Sequence, residues 1–536
     1  MFSPLAFSSL TWALIGSVTL LFALRWRRDG SRLPLPPGPP QLPLVGNLLD
    51  MPSDRQWEKY LEWSQKFNSD IIHLNVFGTS IVVLSSMEAV RELFDKRSSL
   101  YSDRPYMHML NELMGWDFGI GFMKYGERWR AHRKMLHESF NVGSVKQFYP
   151  QERAATHKLL RRILQDPAED MIEQFRRMAG GLIMQVTYGI EVSSTKDDPY
   201  ISIAKEAMHG LSVASIPGAF LVDTIPALKY VPEWMPGAGF KRKAEEWRKV
   251  TRELLEVPFA ETKRRMTMGI APASFTSLNL GTLDDSEIDQ KEEREQTVKA
   301  SAANLYGAGA DTTVSALGTF VLAMIVNPEA QKKAQAEIDS VVGIGHLPDF
   351  SDEASTPYVS AIVKEVLRWR NVTPIAIPHY LTVEDEYRGY RIPAHSVVIG
   401  NAWAILHDKD VYPDPHSFKP ERFLLDGKLN LAIRDPEAAF GFGRRICPGR
   451  NMATSSLWIT IASILSTFNI SKATDDNGNV VELSHEYNPG LIACPLPFKC
   501  SITPRSPQAV EAIQLQWVEI RINRKSDSIR SYIICY

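Results

Sequence analysis

The stretch FGFGRRICPGR, Phe440 to Arg450, limits what this chain can fold into more than any other part of it. It carries Cys447, one of four cysteines in 536 residues. Gly441, Gly443 and the adjacent Arg444 and Arg445 precede the thiol, and Pro448 and Gly449 follow it. Beyond them an apolar run from Met452 to Ser463 has the character of a helix. The pattern predicts a glycine-loosened loop that delivers a thiol to a helix N-terminus, where backbone N–H groups and the helix dipole favour the thiolate. The two guanidinium groups raise the local positive potential and suit the carboxylates of a bound anion. Such a thiolate can be a nucleophile, a metal ligand or a buried core thiol, and the loop alone leaves the three open. Without a CxxC or Cys/His pairs at zinc spacing, a zinc site is not expected.

The length and a hydrophobic fraction of 44% suit a large globular enzyme with an ample core. A formal net charge of −2 gives no long-range attraction to nucleic acid. The scattered cysteines do not form a disulfide framework, which places the folded body in a reducing compartment. No charge interrupts Pro4 to Leu24, a run long enough to span a bilayer, and Arg25-Trp26-Arg27-Arg28 ends it. Because the positive charge follows the apolar run, the expectation is an uncleaved anchor at 4–24 with a cytosolic body. The basic and proline-rich residues 25–40 read as a linker whose prolines, Pro34 to Pro40, hold it stiff and extended.

Ile71–Leu74 and Ser80–Leu84 predict a hairpin turning at Phe77-Gly78-Thr79, and helical periodicity follows from Met87 to Lys96. Tyr101 to Tyr125, rich in glycine, methionine and aromatics, suits either a loop over an apolar pocket or a buried core loop. Trp129 and Arg133 lie four apart, on one face of a basic helix. Helices are expected over Gln151–Thr187 and Ile201–Ser212. The apolar, proline-broken Ile216–Phe240 must rest on something, either the membrane surface beside a substrate entrance or the protein core. Ala271–Ser286 reads as a polar surface loop.

A long apolar helix over Ala300–Val326 is interrupted by Gly307-Ala-Gly-Ala-Asp-Thr-Thr313, residues that disfavour a core helix. Small side chains there allow a flat cofactor to approach, and the Thr312 hydroxyl can open a local kink. Glu365 and Arg368 stand at i, i+3, ahead of Pro420-Glu421-Arg422-Phe423. Between them Val372 to His379 is expected to be extended, because Pro374 and Pro378 disfavour helix at the residues before them. Val397–Ile399 continues the sheet, Leu457–Phe468 extends the helix after the thiol, and Cys494 and Cys500 read as structural.

Phe440, Gly443, Arg445, Cys447 and Gly449 fit F-x-x-G-x-R-x-C-x-G, and with the other motifs in order the chain resembles the cytochrome P-450 superfamily over roughly residues 34–503. It looks most similar to fungal membrane-bound members of secondary metabolism. The resemblance implies a mainly α fold with a smaller β portion, a single N-terminal transmembrane helix, a haem-thiolate domain at 41–503 and a tail at 504–536 without an assigned role. It implies haem b with Cys447 as the axial metal ligand, Trp129 and Arg133 on a propionate, and His379 and Arg445 also binding the cofactor. Asp311 and Thr312 resemble the acid–alcohol pair that relays protons, and Glu365, Arg368 and Arg422 a buried supporting network. The implied reaction inserts one oxygen atom from O2 into a small apolar molecule. Electrons come from NADPH through NADPH–cytochrome P-450 reductase, for which Arg130, Arg133, Lys134, Arg444 and Arg450 form a candidate positive patch. The implied location is the endoplasmic reticulum membrane, single-pass, with the catalytic domain cytosolic. A non-redox haem-thiolate isomerase or dehydratase acting on a peroxide would not need the acid–alcohol pair. A haem-based sensor would need only the ligand loop.

Overall fold

A computed structural model describes residues 33–515, apart from 194–197, 217, 284–287 and 476. The expected anchor at 4–24, the first part of the linker and residues 516–536 lie outside the described residues. Most of what is described is helical, with a small sheet portion. Helix α1 (Glu127–Phe140) places Trp129 and Arg133 on one face. Helices α2 (Tyr149–Gln165) and α3 (Met171–Tyr188) divide where the Asp170 side chain caps α3, accepting the Ile172 N–H at 2.7 Å. Helix α4 (Pro199–Ala214) starts on an Asp198 cap in the same way.

Ala271–Ser286, expected to be a loop, contains helix α5 (Phe275–Gly281). Ser274 and Ser277 cap each other reciprocally, and Phe275 is buried near Phe140. Phe275, Leu278 and Leu280 do not share one helical face, and that pattern was too weak to mark a helix from sequence.

Helix α6 (Ile288–Val326) spans 39 residues through the centre of the fold. It is buried on every turn from Val298 onward, as a helix apolar all round must be. It also contains the segment 291–326, long and apolar enough to cross a membrane, which here lies in the protein core. The expected interruption at Gly307–Thr313 does not occur, and the helix is continuous. A Cβ on Gly309 would lie 2.8 Å from the Ile183 side chain of α3, and one on Gly307 3.1 Å from Met208 of α4. Those glycines therefore serve close helix packing, and the propensity lost in α6 is offset by burial against α3 and α4.

Strands β1 (Ile71–Val76) and β2 (Thr79–Leu84) form the expected hairpin. Of the extended segment expected over Val372–His379, only β3 (His379–Tyr380) is strand. Pro374 and Pro378 have no N–H to give a ladder, and the chain turns at Ala376 with φ +51°. Strand β4 (Val397–Gly400) runs parallel to β2 and antiparallel to β3, giving the sheet order β1-β2-β4-β3.

The proline segment is extended as expected, but it lies on the body. The Pro37 carbonyl accepts the His73 N–H at 2.9 Å and the Pro34 carbonyl accepts the Arg391 N–H at 2.8 Å. The fold likewise continues beyond residue 503. Strand β5 (Phe468–Lys472) pairs with β6 (Cys500–Pro504), and Arg505 forms an ion pair with Asp339 at 2.6 Å. A helix over 507–515 then buries Ala509, Ala512 and Ile513, spaced as one helical face.

Helix α7 (Pro357–Trp369) carries the buried ionic network that the motif spacing implies. Glu365 binds Arg368 at 2.7 and 2.9 Å, Arg422 at 3.1 Å and the Lys419 N–H at 2.7 Å. Arg368 also donates to the carbonyls of Leu406 and Pro415. Every group in this network has a partner, the condition under which buried charge is tolerated. It ties α7 to the 406–422 segment that leads toward the thiol loop. Helix α8 (Arg450–Thr467) follows that loop and packs against α2.

Between α2 and α8, the buried Glu152 carboxyl accepts the Ser455 hydroxyl at 3.1 Å, and burial pushes its pKa up to about 8. An unfolded glutamate ionises near ~4.3. The folded protein therefore keeps a proton that the unfolded chain has lost, so stability is greatest below the unfolded value and falls as pH rises until Glu152 ionises. Glu152→Gln is expected to reduce this slope between about pH 5 and 8, read from unfolding midpoints of both proteins across that range.

Candidate active site

The thiol loop is shaped by one close approach. Gly443 has φ +57°, and a Cβ there would lie 2.3 Å from the Phe94 carbonyl oxygen. The Cys447 N–H donates to the Phe440 carbonyl at 2.8 Å, and α8 starts three residues later with Gly449 as its N-cap. The sulfur thus meets the backbone N–H groups of Gly449 and Arg450, with the guanidinium groups of Arg133 and Arg450 nearby. These favour the thiolate, as the sequence suggests, but burial outweighs them and the thiol is pushed up from its ordinary value. A thiolate here needs a further positive charge, such as a coordinated metal ion. Among the described residues no cluster of His, Cys, Asp and Glu could hold a metal. Cys447 can therefore be one ligand of a metal whose other ligands arrive with a cofactor.

A cavity of about 350 Å³ adjoins the sulfur, lined by Cys447 and α8, by α6 through Ala308 and Thr312, and by α3, α4 and the 116–122 segment. Four of the residues expected to bind the cofactor line it: Trp129, Arg133, His379 and Arg445. Arg445 donates to the carbonyls of Ser102 and Met123 at 2.7 and 2.8 Å, and its guanidinium lies 4.5 Å from the Trp129 ring centre. Arg133 donates to the Ile446 carbonyl at 2.6 Å. His379 Nδ1 contacts the Tyr101 carbonyl at 2.7 Å, and its ring stacks on Phe94 at 3.9 Å. Burial, with Arg104 and Arg445 nearby, holds this imidazole neutral.

Arg104 is a site residue that the motif reading missed. It lines the cavity, is buried, and donates to the carbonyls of Gly121, Ile377 and Pro378 at 2.9, 2.6 and 2.8 Å. The available signal was an arginine inside the Tyr101–Tyr125 region, which is rich in glycine, methionine and aromatics. Burial pulls Arg104, Arg133 and Arg445 down from their ordinary values. Their guanidinium hydrogen bonds go to backbone carbonyls, whereas the nearby Asp103 carboxylate accepts the backbone N–H groups of Arg104 and Tyr125. Three guanidinium groups against one carboxylate leave this edge short of negative charge. A flat, apolar porphyrin bearing two propionates, with iron on the Cys447 sulfur, fits both deficits.

The expected acid–alcohol pair is divided by its helix. Thr312 lines the cavity and donates to the Ala308 carbonyl at 2.8 Å. Asp311 is not among the lining residues, and its carboxylate is ion-paired with Arg176 of α3, a partner the sequence did not reveal. The expected positive patch is also smaller. Arg133 faces the cavity and Arg450 donates to the Cys447 carbonyl at 3.3 Å, leaving Arg130, Lys134 and Arg444 exposed.

A mainly helical body with a cavity-lining cysteine ligand and a cationic rim defines a haem-thiolate protein. The cytochrome P-450 family model matches residues 36–496, and the chain belongs to that family. Cytochrome P-450 monooxygenase 98 of Postia placenta is 47% identical over 93% of this chain and 96% of its own length. Tryptamine 4-monooxygenase of Psilocybe cyanescens is 41% identical over 93% of this chain and 98% of its own. Cytochrome P-450 monooxygenase ple1 of Rhodocybe pseudopiperita is 43% identical over 94% and 95%. Family membership implies haem with a cysteine thiolate ligand, and relatives named as monooxygenases are consistent with an oxidoreductase.

Arg104→Leu is expected to release haem roughly 10- to 100-fold faster, the loss of one charge-assisted contact, with the ferrous–CO Soret band unmoved. Cys447→Ser is expected to abolish the thiolate-type band. Absorbance during transfer of haem to an apo-globin acceptor, with CO spectra of both variants, checks the two together.

Proposed function

We propose that this protein is a haem-thiolate monooxygenase that inserts one oxygen atom from O2 into a small apolar molecule, by hydroxylation or epoxidation. The substrate belongs to fungal secondary metabolism, of terpenoid, polyketide or indole type. The observation that carries the reading is Thr312 on the wall of the cavity that Cys447 also lines, with the Asp311 carboxylate one residue away. Bound haem supplies electron transfer and O2 activation. The protein supplies the other parts. Cys447 gives the thiolate, Arg104, Arg133 and Arg445 hold the propionates, and apolar walls limit the entry of water. Thr312 holds a hydroxyl proton against the Ala308 carbonyl. Burial raises the Asp311 carboxyl while Arg176 opposes the shift, so release from Arg176 would let it take up a proton for Thr312.

NADPH–cytochrome P-450 reductase is the proposed electron donor, docking its acidic surface on Arg130, Lys134 and Arg444. Thr312→Ala is expected to lower product formed per NADPH consumed by on the order of 100-fold while substrate affinity stays within a few-fold. Reductase-supported O2 uptake with product analysis measures both. Turnover that needs neither NADPH nor O2 would replace this reading with the isomerase.

We also place the protein in the endoplasmic reticulum membrane, held by 4–24 with its body cytosolic. The uncharged run and the arginines after it support this, as do Tyr230 and Trp234, 78% and 79% exposed in the proline-broken loop. In sealed microsomes, added protease is expected to digest the catalytic body; a protected body would reverse the orientation.

A further inference from the structure

Arg104, Arg133 and Arg445 are the charged side chains lining the cavity, and their mutual influence with His379 places them at one edge. Away from that edge the wall is built from Trp116, Leu182, Ile183, Met208, Leu211 and Ile492. Its polar groups are neutral, and two of them, Asn304 and Thr312, are engaged within the protein. The Asn304 amide donates to the Phe118 and Ala300 carbonyls at 3.0 and 2.7 Å and accepts the Ile120 N–H at 2.9 Å. Thr312 is engaged by Ala308, and the Asp311 carboxylate is turned to Arg176. Among the described residues, Thr313, Thr373 and Ser456 line the cavity with hydroxyls, and Trp116 with an indole N–H, that have no protein partner.

A protonated amine entering this space would lose its water and meet no carboxylate in return. Resting on the haem-thiolate reading, we propose that the cavity selects uncharged, hydrocarbon-rich substrates, with a hydroxyl or carbonyl as polar handle, and rejects protonated amines. It thereby departs from the amine for which one relative is named. Asn304 contributes by holding the Phe118–Ile120 segment against α6, which closes that side of the cavity with backbone already hydrogen-bonded.

The test is equilibrium dialysis of the holoprotein in its ferrous–CO form, so that no amine nitrogen reaches the iron. Matched neutral and cationic probes are compared: 3-ethylindole with tryptamine, octanol with octylammonium, and dodecanol with dodecylammonium. At about pH 7 the tightest neutral probe is expected to bind at least about 100-fold better than its cationic partner. The gap should narrow about tenfold per pH unit toward ~10, where alkylammonium groups lose their proton as lysine does, while neutral binding stays constant. Parity at about pH 7, a gap that pH does not move, or failure of every neutral probe to bind overturns the proposal. The CO spectrum of the same sample reports separately on the haem-thiolate reading. A missing thiolate band sinks that reading, whereas a normal band with parity sinks only the substrate class.

Discussion

Three guanidinium groups at one edge of a cavity, two of them buried and one half-buried, with a half-buried thiol in the same wall, are the constraint on which this structure turns. Each guanidinium has backbone carbonyl partners, so its hydrogen bonding is met while its charge is not. The thiol has N–H donors and arginines nearby, yet burial still favours its protonated form. Taken as polypeptide alone, the site has too much positive charge at the rim and too little at the sulfur. One flat dianion carrying a metal cation corrects both imbalances. Ordinary carboxylate partners for Arg104, Arg133 and Arg445 would have made a more stable protein with nothing left to recognise a cofactor.

Holding that imbalance requires a rigid frame, and the Glu365 network is part of it. Its charges are as deeply buried as the rim arginines, but they are fully matched. The network joins α7 to backbone at Leu406, Pro415 and Lys419, fixing a long irregular segment that would otherwise have little secondary structure to order it. The protein thus contains both kinds of buried charge. The satisfied kind orders the chain, and the unsatisfied kind marks where another molecule belongs.

What could be read from sequence was chemistry that demands particular residues at short spacing. The thiol loop, Trp129 with Arg133, and Glu365 with Arg368 are local patterns, and the structure places each where its spacing implies. Arg104 was missed because its partners, Gly121, Ile377 and Pro378, lie on segments that only tertiary folding brings together. The helix over 507–515 was legible in principle, since Ala509, Ala512 and Ile513 follow helical spacing, but three small or single apolar residues are a faint stripe. The thiol's raised pKa depends on how completely its loop is covered, which no local pattern reports.

The glycines of α6 show how a motif can be located correctly while its effect on the backbone is not. They suggest a broken helix, whereas they line the cavity, admit Ile183 and Met208, and leave the helix whole. Continuity matters for the neighbouring residues. Ala308 and Thr312 are one turn apart and share the cavity face, while Asp311, about 100° around the axis from Thr312, points to α3. A break here would have let the acid and the alcohol face the same space. With the helix intact, α6 itself separates the cavity from the ion pair on its other side. Under the proposed function, a proton passed from Asp311 to Thr312 requires the carboxylate to leave Arg176, so that ion pair is where the relay would be controlled.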